Sequence, residues 1–227
     1  MRKNTYKRIN YETRGMKKSE EKKENGIQEQ FIRLYVFLRK NLMERGIRRQ
    51  EIFREETDYY IFIAILKNVM EKYGANLHAY CLMTNHIHLL LETYEEKVGK
   101  IMQKLAGDYA RTFNRRYGYK GHLFEDRYKS CLVETDEYFL QTSRYIHLNP
   151  VKERMVSNPE DYKWSSYRRI INLCDDGITT SQKTLSYFGN KSIWGYREFV
   201  EDIANKYVVT ETEIRTVMGE DELWLPW

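Results

Sequence analysis

Cys81-Leu82-Met83-Thr84-Asn85-His86-Ile87-His88-Leu89-Leu90-Leu91-Glu92 is apolar, broken once by a turn, and carries two imidazoles one residue apart. Side chains alternate between the faces of a strand, so residues i and i+2 share a face. His86 and His88 therefore project side by side, with Leu90 and Glu92 further along. Ile87, Leu89 and Leu91 fall on the opposite face, as a core row does. Residues 77–83 read as a strand, Met83-Thr84-Asn85 as a tight turn and 86–93 as the returning strand of a β-hairpin. Two neutral imidazoles on one face are a ready pair of ligands for a divalent cation. The bland alternative is a pair of solvent-facing strand histidines.

The flanks of the hairpin read as helices. Tyr59, Phe62, Ile63, Leu66, Val69 and Met70 lie on one face of a helix over 55–73, and Gly74 stops it. Val98, Ile101, Leu105, Tyr109, Thr112 and Phe113 do the same over 97–117, where Gly118 is the stop. A strand is expected over 127–133. Thr135 then caps a helix whose positive end carries Asp136 and Glu137, and Pro150 is expected to end it at Asn149. Upstream, Ile27, Phe31, Leu34, Tyr35, Leu38 and Leu42 recur at helical spacing, which predicts an amphipathic helix over 27–43 merging into a first short strand over 42–46.

The order strand–helix–strand–strand–helix–strand, followed by a helix, fits the α+β class. Its expected form is a ferredoxin-like split βαβ plait, with two helices on one face of an antiparallel sheet. The two helices take the face of Ile87 and Leu89, which leaves the histidine face for the last helix. Three parts are expected: a basic N-terminal arm with a short helix over 1–41, the plait over 42–155, and a helical C-terminal extension over 156–227. Residues 1–26 are rich in Lys, Arg, Glu, Asn and Gly, the composition of a flexible arm.

The totals agree with a globular chain. Of 227 residues, 41% are apolar and 14% aromatic, enough to build a core although the mean hydropathy is −0.74. A net charge of +5 tilts towards a polyanionic partner. Three widely spaced cysteines with no CxxC pair suggest neither a disulfide framework nor a zinc knuckle. No apolar run reaches the roughly 18 residues of a membrane span, so a cytoplasmic setting is expected.

Tyr145 and Asn149 are four residues apart and share a helix face. If that helix lies over the histidines, Asn149 becomes a third, oxygen ligand and Tyr145 faces whatever the metal holds. Taken alone, each residue has a structural explanation. An Asn before Pro suits a helix C-cap, and Tyr145 is one of 19 tyrosines. His147 lies roughly 200° round the helix from Tyr145, which points to packing or hydrogen bonding. Glu92 is expected at a solvated strand end, and His78 as an ordinary strand residue. Over 109–129, Arg111, Arg115, Arg116, Lys120, Arg127 and Lys129 are interleaved with aromatic residues, and His122 lies among them. Cations that follow phosphates and rings that stack bases are what single-stranded nucleic acid binding needs. Tyr109 and Phe113 are expected in the core instead.

Ala79-Tyr80-Cys81-Leu82-Met83-Thr84-Asn85-His86-Ile87-His88-Leu89-Leu90 resembles the HUH signature of REP-associated tyrosine transposases and related single-tyrosine transposases. Gly121-His122-Leu123-Phe124-Glu125-Asp126-Arg127-Tyr128-Lys129 and Ser143-Arg144-Tyr145-Ile146-His147-Leu148-Asn149-Pro150-Val151 are similar to two further blocks of that family. Trp164-Ser165-Ser166-Tyr167 looks like the segment that follows them. The match runs in order over roughly residues 45–170. It implies an HUH endonuclease fold and a Mg²⁺ or Mn²⁺ ion held by His86, His88 and Asn149, with Tyr145 as the nucleophile. The implied substrate is single-stranded or hairpin DNA, cut through a 5′-phosphotyrosine intermediate by a monomer or homodimer.

Two departures stand out. The family's His-containing segment before Arg-Gly is replaced here by Lys40-Asn41-Leu42-Met43-Glu44, and Thr84 stands where Pro or Gly is common. The alternative reading is a hairpin-binding protein that has lost cleavage. Intact His86, His88, Tyr145 and Asn149 favour the enzyme, and the altered N-terminal segment favours the loss. A ferredoxin-like RNA-binding domain lacks support, because no central strand carries its aromatic signature. A phosphoesterase with paired His-x-Thr motifs fails as well, since neither histidine is followed by Thr at that spacing.

Overall fold

A computed structural model describes residues 31–39, 51–94, 97–124 and 128–202. The arm expected over 1–26 and the strand expected over 42–46 lie outside these residues. Four strands form one antiparallel sheet: β1 (Phe31–Arg39), β2 (Asn76–Leu82), β3 (His86–Tyr94) and β4 (Lys129–Leu132), in the order β2-β3-β1-β4. α1 (Glu56–Tyr73) connects β1 to β2, and α2 (Val98–Tyr117) connects β3 to β4. α3 (Asp136–Lys152) follows, then the short α4 (Tyr167–Ile170), α5 (Gln182–Ser186) and α6 (Ser192–Glu201). This is the split βαβ plait that the element order predicts.

Local chemistry sets the helix ends. Asp58 in the first turn of α1 accepts from the backbone N–H of Arg54 (2.9 Å) and of Glu55 (3.2 Å). Gly74 and Gly118 close α1 and α2 at φ 62° and 68°, a left-handed conformation that a side chain disfavours. The Thr135 hydroxyl accepts from the N–H of Tyr138 at 3.1 Å, the cap read from the sequence.

Apolar burial then sorts the elements into layers. α1 and α2 cover one face of the sheet, where Phe62, Leu66, Ile101, Leu105, Tyr109 and Phe113 pack with Leu77, Leu82, Ile87, Leu89 and Leu91. α3 covers the other, where Phe139 and Ile146 pack with Ala79, Cys81, Leu90 and Cys131. A third cluster joins Tyr167, Ile170, Tyr196 and Val200 behind α3.

Two expectations are corrected. Phe31–Arg39 is a strand and not part of a helix over 27–43, so the plait begins at or before residue 31 and not at 42. Ile32, Leu34, Val36 and Leu38 stand at alternate positions inside the same apolar run, so a helical stripe and a strand row both fit. Pairing decides between them. β1 runs between β3 and β4, and nine Cα partners extend from Phe31↔Tyr94 to Arg39↔His86. Secondly, α3 passes through Pro150 to Lys152, and Glu153 rather than Asn149 is its C-cap. Proline removes only the bond that its own N–H would make to the Ile146 carbonyl. Beyond it the chain still closes, with the Glu153 N–H on the Asn149 carbonyl at 2.9 Å and the Met155 N–H on the Pro150 carbonyl at 2.9 Å.

The C-terminal extension also builds on the sheet. Ser165 bridges antiparallel to Cys81, the Leu82 N–H donates to the Trp164 carbonyl (2.9 Å), and the Ser166 N–H donates to the Tyr80 carbonyl (3.0 Å). At the other end of β2, Thr179 bridges parallel to Leu77.

Candidate active site

The β2–β3 turn is held from outside the hairpin. The Thr84 carbonyl accepts from the N–H groups of Ile52 (2.8 Å) and Phe53 (3.2 Å), which fixes the start of β3. His86 is the first residue of that strand. Its Nδ1 lies 2.7 Å from the Asn85 carboxamide oxygen. An oxygen there must accept, so Nδ1 carries a proton, and in the neutral ring the lone pair is then on Nε2, the arrangement that metal-binding imidazoles adopt. His88 lies beside it, with ring centroids 4.8 Å apart and planes perpendicular. Burial drives the His88 pKa well below the usual imidazole value, and the charges of His86 and Lys152 act in the same direction. His88 is therefore neutral.

α3 presents the other half. The Tyr145 ring meets the His88 ring edge-on at 5.9 Å. One turn on, Asn149 is buried, and its side-chain nitrogen donates to the Tyr145 carbonyl at 2.7 Å. A carbonyl neighbour fixes that atom as the amide nitrogen, which leaves Oδ1 as the group on offer to a cation. The Lys152 ammonium sits 4.3 Å from the Tyr145 ring centroid. Lys152 was not singled out in the sequence, although 145, 149 and 152 follow the i, i+4, i+7 spacing of one helix face.

The imidazoles of His86 and His88 and the Asn149 carboxamide offer nitrogen and oxygen donors of the kind that suit Mg²⁺ or Mn²⁺. Among the described residues, no group of three or more His, Cys, Asp or Glu could hold a metal.

The other expected residues are spread around the molecule. Arg111, Arg115 and Arg116 belong to α2, on the sheet face opposite the histidines. Arg111 pairs with Asp108, and Arg116 is held by Glu55 (3.0 Å) and the buried Asp58 (3.2 Å), so Arg116 serves the α1 cap. Lys120 and His122 are exposed in the loop after α2, and Arg127 lies outside the described residues. Of these expected cations, Lys129 is the one on a sheet strand. Its Cα partner is Phe37, whose other partner is His88, so Lys129 stands two strand spacings away, about 9–10 Å. It shares the face of Cys131, which packs under α3.

Glu92 corrects the solvated strand end. It is partly buried, 3.0 Å from His78 Nε2, and it also receives the Lys183 ammonium. His147 is fully buried and hydrogen-bonded, as its position on the helix implies.

A sheet strand bearing two neighbouring histidines beneath a helix bearing a tyrosine is the arrangement of the HUH fold. A family model described as transposase IS200 like matches residues 38–149, which include His86, His88, Tyr145 and Asn149. A Haemophilus influenzae protein described as a REP-associated tyrosine transposase is 27% identical over 126 residues, covering 50% of this chain and 71% of that protein. The solved structure of a REP-associated tyrosine transposase bound to a REP hairpin superposes with a TM-score of 0.52 at 16% identity, covering 66% of this chain and 86% of that one. At that identity the likeness shows the fold. Over residues 38–149 the chain is thus similar to IS200-like transposases, and it resembles REP-associated tyrosine transposases in sequence and in fold.

Proposed function

We propose that the protein is a metal-dependent single-strand DNA endonuclease and strand transferase that acts on hairpin-containing DNA. The observation that carries this reading is the approach of the Tyr145 ring to within 5.9 Å of His88, across the gap between helix and sheet. His86, His88 and Asn149 would hold the ion, which as a Lewis acid would stabilise charge on the non-bridging oxygens of the scissile phosphate. The Tyr145 hydroxyl attacks phosphorus and loses its proton. The bond from phosphorus to the 3′ oxygen breaks, and that oxygen takes up a proton to become a free 3′-OH. The 5′ side remains as a phosphotyrosine ester, whose retained bond energy lets a second 3′-OH reverse the step without ATP. Lys129, on the histidine face of the sheet, and the exposed Lys120 would supply counter-charge for the strand.

The test is incubation with Mn²⁺ and labelled single-stranded hairpin DNA, followed by a denaturing gel. Wild type is expected to yield a covalent adduct, Tyr145→Phe none, and His88→Ala none while still shifting the hairpin in a native gel. Binding without any adduct from the wild type would establish the alternative, a hairpin-binding protein without cleavage.

A further inference from the structure

Behind α3, away from Tyr145, four buried polar side chains form one closed set. The Ser143 hydroxyl lies 2.6 Å from the Tyr196 hydroxyl, which lies 2.7 Å from His147 Nδ1. His147 Nε2 lies 2.8 Å from the Ser166 hydroxyl, which accepts from the Tyr80 N–H at 2.8 Å and reaches the Tyr80 carbonyl at 3.3 Å. The donors sort themselves. Ser166 gives its proton to the Tyr80 carbonyl and so accepts from His147 Nε2–H. Nδ1 is then the acceptor for Tyr196, whose oxygen accepts from Ser143. Each side-chain donor is used once, and a neutral imidazole completes the chain.

The places these residues occupy give the chain a purpose. Ser143 and His147 are four apart on α3, on the side turned from Tyr145. Tyr196 belongs to α6, while Ser166 lies against β2, where Cys81, the neighbour of Tyr80, is the Cα partner of His88. One hydrogen-bonded path therefore runs from the helix that carries Tyr145 to the strand beside the one that carries His88. Arg144 reinforces it, donating to the Asp202 carbonyl at 2.6 Å with its guanidinium 5.4 Å from the Phe199 ring.

We infer that His147, Ser166 and Tyr196 are positioning residues, through which the C-terminal extension holds the Tyr145 helix in register with the histidine strand. The inference rests on the endonuclease reading of Tyr145 and His88. Fixed reacting geometry matters because a misplacement of about 1 Å can cost roughly a hundredfold in rate.

The test uses the full chain and four proteins: wild type, Tyr196→Phe, His147→Gln and Tyr167→Phe. Tyr167→Phe removes a hydroxyl that donates to Glu201 in the same C-terminal cluster and makes no hydrogen bond to α3, so it controls for simple loss of stability. Single-turnover adduct formation on labelled hairpin DNA with Mn²⁺ is measured against substrate concentration, beside hydrogen exchange of α3 amides. Tyr196→Phe and His147→Gln are expected to lower the maximal rate about ten- to a hundredfold with half-saturation unchanged, and to speed exchange in α3. Tyr167→Phe is expected to keep the wild-type rate.

Wild-type rates and α3 protection in Tyr196→Phe and His147→Gln would overturn the inference while leaving the nuclease intact. Equal losses in all three variants would also overturn it, because they would mark a general stability effect. No adduct from wild type would overturn the nuclease reading itself, and the exchange data would still decide whether the extension restrains α3.

Discussion

Lys152 brings a full positive charge to the Tyr145 ring from three residues beyond Asn149, on the last turn of the same helix. On the proposed reaction, its charge would act as a counter-ion for the scissile phosphate. Lys152→Met is expected to slow adduct formation on the order of a hundredfold, the scale of removing one group that stabilises a developing oxyanion, with a smaller effect on hairpin affinity. Lys152→Arg should recover most of the rate. Equal rates in Lys152→Met and wild type would remove the residue from the site. Residue-scale chemistry was partly legible in the sequence. His86 and His88 were readable because a two-residue spacing in an alternating strand leaves one geometry. The four-residue spacing of Tyr145 and Asn149 gave a shared helix face, and the family resemblance, not the spacing, singled them out. Lys152 was hidden, because Pro150 suggested a helix end before it and the helix in fact continues.

At the scale of elements, α2 offers a paired experiment with opposite signs. Gly118 holds the helix end at φ 68° with nothing within 4 Å of an added Cβ, so only backbone strain opposes a side chain there. Gly118→Ala is expected to destabilise by about 1 kcal/mol. Gly107 lies within the same helix, also with nothing within 4 Å, and Gly107→Ala is expected to stabilise by about 0.5–1 kcal/mol. Urea denaturation of both variants checks the pair, and changes of the same sign would contradict it. The helices were legible because a 3.6-residue stripe over 18 or 20 residues leaves little ambiguity. β1 was not. Over nine residues its apolar positions satisfy both periods, and only pairing with β3 and β4, distant in sequence, selects the strand.

Across the whole molecule, the extension is tied to the sheet through Glu92, which meets Lys183 of α5 and His78 of β2. Burial alone would raise the Glu92 pKa, but the Lys183 ammonium and His78 outweigh it and hold the carboxyl below its usual 4.5. A carboxylate with a lowered folded-state pKa stabilises the fold above its unfolded value and loses that contribution as pH falls through the folded value. Melting temperatures of wild type and Glu92→Gln should therefore differ most near neutrality and converge below about pH 4.5. A constant gap down to pH 3 would contradict the assignment. This tie was invisible in the sequence, because Glu92 and Lys183 are 91 residues apart and no local pattern links them.

The pairing of residues 164–166 and Thr179 with β2 bears on how copies of this chain could assemble. An uncovered strand edge invites a second chain to add its own strand. Here the β2 margin is already filled from within, near Cys81 and again near Leu77. Among the described residues, the opposite margin of the sheet is β4, four residues long. Among the described residues, a strand added by a neighbouring molecule would therefore meet a margin already paired at β2 and a four-residue strand at β4.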